Sequence, residues 1–280
     1  MRWRGDWPRA ARVVTEKRIR IATTRESYLV TCDVHFDQRE FDLKCEWGLH
    51  GLLTLQPASD AVVIVDVLSF STAVDIAVSN GASVLPYRWK DNSAKSFAIE
   101  KGAILAEGRS NGGKFTLSPA WLRAIARGTA LVLPSPNGST LALSAMCLPV
   151  YTACVRNAPA IAKRVAIHGS RISVIPAGEQ WHDSSLRPCL EDLIGAGAVL
   201  EALNGSLSPE AELAVAAFTR FRRDLRGTLS RCGSGKELIG RGFELDVELA
   251  AEHGVSAVTP MLVQERFIDP ANAGFPPDPR

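Results

Sequence analysis

Several signatures are missing from this chain of 280 residues, and each absence removes a class of function. No apolar run reaches the roughly 18 residues that a membrane-spanning helix needs, so no membrane partner is expected. The basic start, MRWRGDWPRAARVVTEKRIR, lacks the hydrophobic stretch of a secretory leader. None of the six cysteines (Cys32, Cys45, Cys147, Cys154, Cys189, Cys232) forms a C-x-x-C pair. They read as buried, reduced thiols of a cytoplasmic protein rather than a disulfide framework. The five histidines contain no H-x-x-x-H pair, which argues against zinc. Net charge is only +2, so no nucleic-acid partner is implied. No GxxxxGK[ST] loop, GxGxxG fingerprint or G-x-S-x-G elbow occurs, which excludes the commonest nucleotide-binding and serine-hydrolase sites. Cysteine-phosphatase spacing (Cys, then Arg six residues on) is absent too. So is the Asp-x-Asp pattern of aspartyl-phosphate phosphatases, because Val67-Leu68-Ser69 follows Asp66.

What is present is alternation. AVVIVDVL (61–68) is a continuous apolar, β-branched run of the kind buried on both faces of a parallel sheet. ASVLPY (82–87), GAILAEG (102–108), ALVLPS (130–135), PVYTAC (149–154) and RISVIPAG (171–178) repeat the theme, with helical patterns between them at 69–79, 93–101, 137–146, 158–168 and 189–203. This order predicts right-handed βαβ units and an α/β fold, a three-layer sandwich with a mostly parallel central sheet. Residues 208–253 read as helices alone, a helical C-terminal region, and 255–263 as a last strand. Weak alternation in YLVTCDVHF and FDLKCEW predicts an edge hairpin between 27 and 47. The chain then divides into a basic extension at 1–27, expected to be disordered, a single α/β domain at 28–265, and a Pro-rich tail at 266–280. The apolar positions Leu213, Ala217 and Phe221 leave two readings open, a homo-oligomer contact or core packing.

Ligands of open α/β sheets bind beyond the carboxyl ends of the strands. The segments there, 66–72, 107–109, 134–140, 156–157 and 177–179, are rich in Asp, Glu, Asn, Ser, Thr, Arg and Gly, and are expected to converge. Asp66 ends an apolar strand, where a carboxylate needs a cap, an ion pair or a metal. In Asn137-Gly138-Ser139-Thr140 a strand turns into a helix, giving either an ordinary cap or an anion cradle of backbone N–H and hydroxyl groups. Glu107 and Arg109 read as a surface pair or as site residues. Glu191 and Asp192 open a helix, where acids are favoured by the dipole alone. Hard oxygen ligands of this kind suit Mg²⁺. His182 belongs to a loop that is either solvent-exposed or reaches the cleft.

In order and spacing, Asp66-Val67-Leu68 with Ser71-Thr72, Asn80-Gly81-Ala82, Leu117-Ser118-Pro119, Asn137-Gly138-Ser139, Asn157-Ala158, Ala177-Gly178, Glu191-Asp192, Ala196-Gly197, Ser234-Gly235-Lys236-Glu237-Leu238, Gly242-Phe243 and Asp246-Val247 resemble the 2-phosphosulfolactate phosphatase family across roughly residues 45–263. The resemblance implies a magnesium-dependent phosphatase that converts 2-phospho-3-sulfolactate to 3-sulfolactate and phosphate, a step of coenzyme M biosynthesis. The matching positions are Asp66, Glu107, Asn137, Gly138, Asn157, Glu191 and Asp192. The expected roles are catalysis by Asp66, Glu107, Asn137 and Glu191. Substrate would be bound by Ser71, Thr72, Arg109, Gly138, Ser139, Thr140 and Asn157, with Arg156 as an alternative to Arg109. Mg²⁺ would be held by Asp66, Glu191 and Asp192. Two departures bear on the substrate. Ser69-Phe70 stands where the family often has Arg-Ala, and Glu107-Gly108-Arg109 replaces a Gly-Glu-Arg segment. Two rivals therefore remain, a hydrolase of another small phosphorylated metabolite and a non-catalytic anion binder.

Overall fold

The computed structural model describes residues 18–22, 27–31, 35–89, 91–109, 115–145 and 148–273. Its strands are β1 (Arg18–Ala22), β2 (Ser27–Thr31), β3 (Leu43–Cys45), β4 (Ala61–Val65), β5 (Ser83–Tyr87), β6 (Ile104–Leu105), β7 (Ala130–Pro134), β8 (Val150–Ala153), β9 (Ile172–Pro176), β10 (Glu179–Gln180), β11 (Leu186–Arg187), β12 (Met261–Val263) and β13 (Arg266–Ile268). The helices are α1 (Gly48–Leu55), α2 (Phe70–Ser79), α3 (Ser93–Glu100), α4 (Pro119–Leu122), α5 (Gly138–Ala142), α6 (Ala158–Val165), α7 (Leu190–Glu201), α8 (Pro209–Phe221), α9 (Leu225–Arg231), α10 (Gly233–Gly240) and α11 (Glu244–Ala250).

The central sheet has nine strands in the order β3-β9-β4-β8-β12-β13-β5-β7-β6. β3, β9, β4 and β8 form one parallel block, and β5, β7 and β6 another. The antiparallel hairpin β12–β13 splices the two blocks. The three-layer α/β sandwich is therefore observed, with a mostly parallel sheet and the helices α8 to α11 at the C-terminal side.

Strand β4 shows why the layers form. Its five residues are all buried, and successive side chains of a strand point to opposite faces. Val63 and Val65 enter a core shared with α6 to α11, whereas Val62 and Ile64 enter one shared with α1, α2, α4 and α5. That second core also takes Val84 of β5, Leu131 and Leu133 of β7 and Phe267 of β13. Both parallel blocks thus enclose it, which brings the ends of β4 and β7 together. In α8, Ala217 and Phe221 pack against the first core, while Leu213 is 62% exposed. Core packing accounts for two of the three apolar positions.

Three sequence expectations are corrected. The predicted 27–47 hairpin does not form: β2 pairs with β1, inside the expected extension, and β3 joins the edge of the main sheet beside β9. β3 holds Lys44, fully buried and donating from Nζ to the Ala58 carbonyl, so it does not alternate as a half-exposed strand would. The boundary at 265 cuts a hairpin. Gln264 and Glu265 make its tight turn with positive φ (47° and 65°), without the Asn-Gly or Asp-Gly pair that marks such turns. The helix expected at 137–146 is only five residues, Gly138–Ala142.

Candidate active site

A cleft of about 520 Å³ opens where the ends of β4, β7 and β9 meet. Asp66 and Ser69 come from the β4–α2 turn, Ser135 and Asn137 from the end of β7, and Glu179 from the start of β10. Arg109 enters ahead of α4, and the β10–β11 hairpin adds His182 and Arg187. The opposite wall is α10 and its end, with Ser234, Glu237 and Arg241.

Asp66 is held by two backbone donors, Phe70 N to Oδ1 (3.1 Å) and Gly138 N to Oδ2 (3.1 Å). It caps α2 and lines the cleft as well. Ser71 and Thr72 are fully buried beneath it. Ser71 Oγ accepts from Asp66 N (2.9 Å), and Thr72 Oγ1 donates to the Val67 carbonyl (2.7 Å), so these hydroxyls shape the turn and do not face the cleft. Gly138 is required by close approach: a Cβ there would lie 2.3 Å from a Phe70 ring carbon and 2.9 Å from Asp66 Oδ2. Its N–H is spent on Asp66, and Ser139 Oγ donates to the Leu133 carbonyl (3.1 Å). The 138–140 turn is thus a brace for Asp66, with Thr140 lining a separate hollow beside α1.

Behind Asp66 lie two buried acids at the start of α7. Asp192 accepts from Val67 N (2.7 Å) and Gly178 N (2.9 Å), tying the ends of β4 and β9. Burial, and then the charges of Asp66 and Glu191, hold its carboxyl well above the usual range. Glu191 is 2% exposed, and its Oε2 has no hydrogen-bond partner among the described residues. The nearby Cys232 thiol is pushed up to about 12 by burial and then by Glu191. Among the described residues no three His, Cys, Asp or Glu side chains form a ready metal cage.

Arg109 is the best-anchored cation of the cleft. It donates to Ser69 Oγ, to the Leu117 carbonyl (3.2 Å) and to Asp246 Oδ2 (3.4 Å), and lies over the Phe243 ring (5.4 Å). Asp246 is itself buried and accepts from Ser118 Oγ (2.5 Å) and Ala120 N (3.1 Å). Arg187 reaches Ser234 Oγ (3.2 Å) and lies over Trp181 (5.6 Å), while Arg241 pairs with Glu237 (3.1 Å).

Residues 51–265 match the family model of 2-phosphosulpholactate phosphatase. The chain belongs to this family. It is 26% identical over 214 residues to a probable 2-phosphosulfolactate phosphatase of Pseudothermotoga lettingae, covering 75% of this chain and 92% of the relative. Identity is 25% over 207 residues (72% and 87%) with the 2-phosphosulfolactate phosphatase of Methanothermobacter thermautotrophicus. It is 29% over 220 residues (74% and 88%) with a probable one of Carboxydothermus hydrogenoformans.

Within this family member, the expected site residues separate. The cleft gathers Asp66, Arg109 and Asn137, with Gly138 and Asp192 next to Asp66 and Glu191 beyond Asp192. Glu107 is exposed and lines an adjoining cavity of about 530 Å³, which shares Arg109, Leu117 and Arg241 with the cleft. Asn157 lies elsewhere: fully buried, it accepts from Cys154 N (2.9 Å) at the start of α6. Arg156 is bound to Asp75 (2.8 Å) and to Glu252. Arg187 and Arg241 were not expected from the sequence because they lie on a two-residue strand and just past a helix, not at the predicted strand ends, and Glu237 entered only as part of a motif.

Proposed function

We propose that the chain is a phosphoric monoester hydrolase acting on a small polyanionic ester, with 2-phospho-3-sulfolactate as the leading substrate. The observation that carries this reading is the convergence of Arg109, Arg187 and Arg241 on a cleft floored by Asp66. The proposed substrate carries a phosphate, a sulfonate and a carboxylate, and a guanidinium fork suits each. A pure anion binder would have little use for the carboxylates beside those arginines.

Magnesium is the proposed cofactor. Glu191 has a buried oxygen without a hydrogen-bond partner among the described residues and adjoins Asp192, which in turn neighbours Asp66; a hard oxygen of this kind suits a hard cation. Asp66 and Glu191 would hold it, with Asp192 bracing the loop. Mg²⁺ commonly takes only one or two carboxylates and completes its shell with substrate oxygens and water, which fits the lack of a ready cage among the described residues. When bound, it would supply positive charge against the phosphate oxygens. The chain's own residues do the rest. Arg109, fixed by Ser69 and Asp246, grips an acidic group, and the arginines opposite close on the others. Catalysis of this kind is mostly positioning and charge stabilisation. A cytoplasmic location suits the free, buried thiols of Cys45, Cys154, Cys189 and Cys232, and no helix among the described residues is long and apolar enough to cross a membrane.

The adjoining cavity with Asp91, Lys95 and Glu107 favours a second reading, in which a larger ester extends past Arg109. Phosphate release from 2-phospho-3-sulfolactate and a panel of small and larger phosphate esters, with and without Mg²⁺, tests both. Magnesium-dependent release is expected, and the ranking of esters reports how far the substrate extends. Folded protein that releases no phosphate from any ester would sink the phosphatase reading.

A further inference from the structure

We propose that Glu179 is the general base of this hydrolysis and that Asn137 is the residue that orients it. The inference rests on the phosphatase reading above and names a base that the sequence left open. Three carboxylates line the cleft: Asp66, Glu179 and Glu237. Asp66 receives a backbone N–H on each oxygen, so both oxygens are already engaged by the β4–α2 turn and Gly138. Glu237 is exposed at the rim and paired with Arg241 one helical turn on. Glu179 differs from both. Its Oε2 accepts from Asn137 Nδ2 (2.8 Å), and it makes no other side-chain hydrogen bond among the described residues, so Oε1 is left for water.

The backbone holds Glu179 in place with unusual firmness. Gly178 before it has φ +67°, and a Cβ there would meet the Arg187 carbonyl at 2.9 Å, so only glycine makes this bend comfortably. Gly178 N is pinned to Asp192 Oδ2 (2.9 Å), and Glu179 itself pairs with Arg187 across β10–β11. A half-buried carboxylate, backbone-locked and aimed by one amide, has the preorganisation a base needs.

In the step, a water oxygen forms the new P–O bond with its lone pair as the ester P–O bond breaks, leaving that electron pair on the ester oxygen. The water proton passes to Glu179 Oε1 and then to solvent. The departing ester oxygen takes a proton from solvent, so ester plus water gives alcohol plus phosphate.

The test is Glu179→Gln, whose amide oxygen can still accept from Asn137 but which cannot take a proton. The expected result is a kcat reduced about 10²–10⁴-fold. KM and inorganic-phosphate affinity by calorimetry should change less than about threefold, the pattern of a group that acts only in the transition state. Asn137→Ala should lower kcat less, and in the Glu179→Gln background should add nothing, since the two act as one unit. Unfolding midpoints of all variants establish that each is folded. Wild-type turnover with a near-normal kcat for Glu179→Gln overturns the assignment of Glu179 alone. A wild type that releases no phosphate from any ester overturns the parent reading and this one with it.

Discussion

Two buried carboxylate sites, either side of the β4–α2 turn, obey opposite rules. Asp75 of α2 is fully buried, and Arg156 (2.8 Å) and Ser256 (2.5 Å) hold its two oxygens. Arg156 also binds Glu252 and the Leu249 carbonyl (3.1 Å), so the lock staples α2 to α11. Burial still raises the Asp75 pKa, with Ser256 and Arg156 opposing it. At the start of α7, Asp192 is as deeply buried, yet its partners are two backbone N–H groups and its charged neighbours are further carboxylates, Asp66 and Glu191. One site is a neutralised ion pair. The other gathers three acids, and one of their oxygens is left without a hydrogen-bond partner among the described residues. Structural networks satisfy their members; a cluster that does not is where a ligand or reaction is to be sought.

Breaking the first site should give the largest effect on stability. Asp75→Ala strands Arg156 and is expected to cost about 3–5 kcal/mol in urea unfolding, with turnover per folded molecule unchanged. A selective loss of turnover would show that the lock reaches the cleft. At the second site the effect should fall on activity. Asp66→Asn is expected to lower phosphate release about 10²–10³-fold, roughly 2.7–4 kcal/mol of transition-state stabilisation, while the unfolding midpoint moves little. Comparable losses of stability at Asp66 and Asp75 would erase the distinction. Next comes the metal. A cation that binds only the folded chain should add about 2.7 kcal/mol of stability at 100 times its Kd. Mg²⁺ is therefore expected to raise the unfolding temperature of the wild type, and chelation to reverse it, with no such response in Asp66→Asn.

The same contrast marks what could be read in the chain. Strands such as AVVIVDVL announce themselves because both faces are buried and every residue is apolar, and the strand-end rule then led to Asp66, Asn137 and Glu179. It could not tell which polar strand-end residues face outward. Asn157 and Ser71 sit at equivalent sequence positions yet spend their side chains on backbone and buried neighbours. Nor could it find Arg187 or Arg241, which reach the cleft from a two-residue strand and a helix end. The splice hairpin was hidden by a turn built from Gln264 and Glu265. Tertiary placement, not local pattern, decides all of these.

The smallest predicted effect discriminates best, because its sign differs between the two sites. Glu191→Gln replaces a buried carboxyl whose Oε2 has no hydrogen-bond partner among the described residues. In the presence of a chelator this should leave stability unchanged or raise it by about 1 kcal/mol, since both the desolvation of a buried carboxyl and its repulsion with Asp192 are relieved. For a domain of this size that is a rise of roughly 2–4 °C in Tm. Added Mg²⁺ should then stabilise the variant less than the wild type, so the two melting curves cross in order as metal is titrated. The equivalent neutralisation of Asp75 to Asn should instead destabilise in either condition, because Arg156 loses its charge partner. If Glu191→Gln proves as destabilising as the Asp75 variant, with or without metal, Glu191 belongs to the scaffold, and the orphaned oxygen marks a structural compromise with no cation to receive.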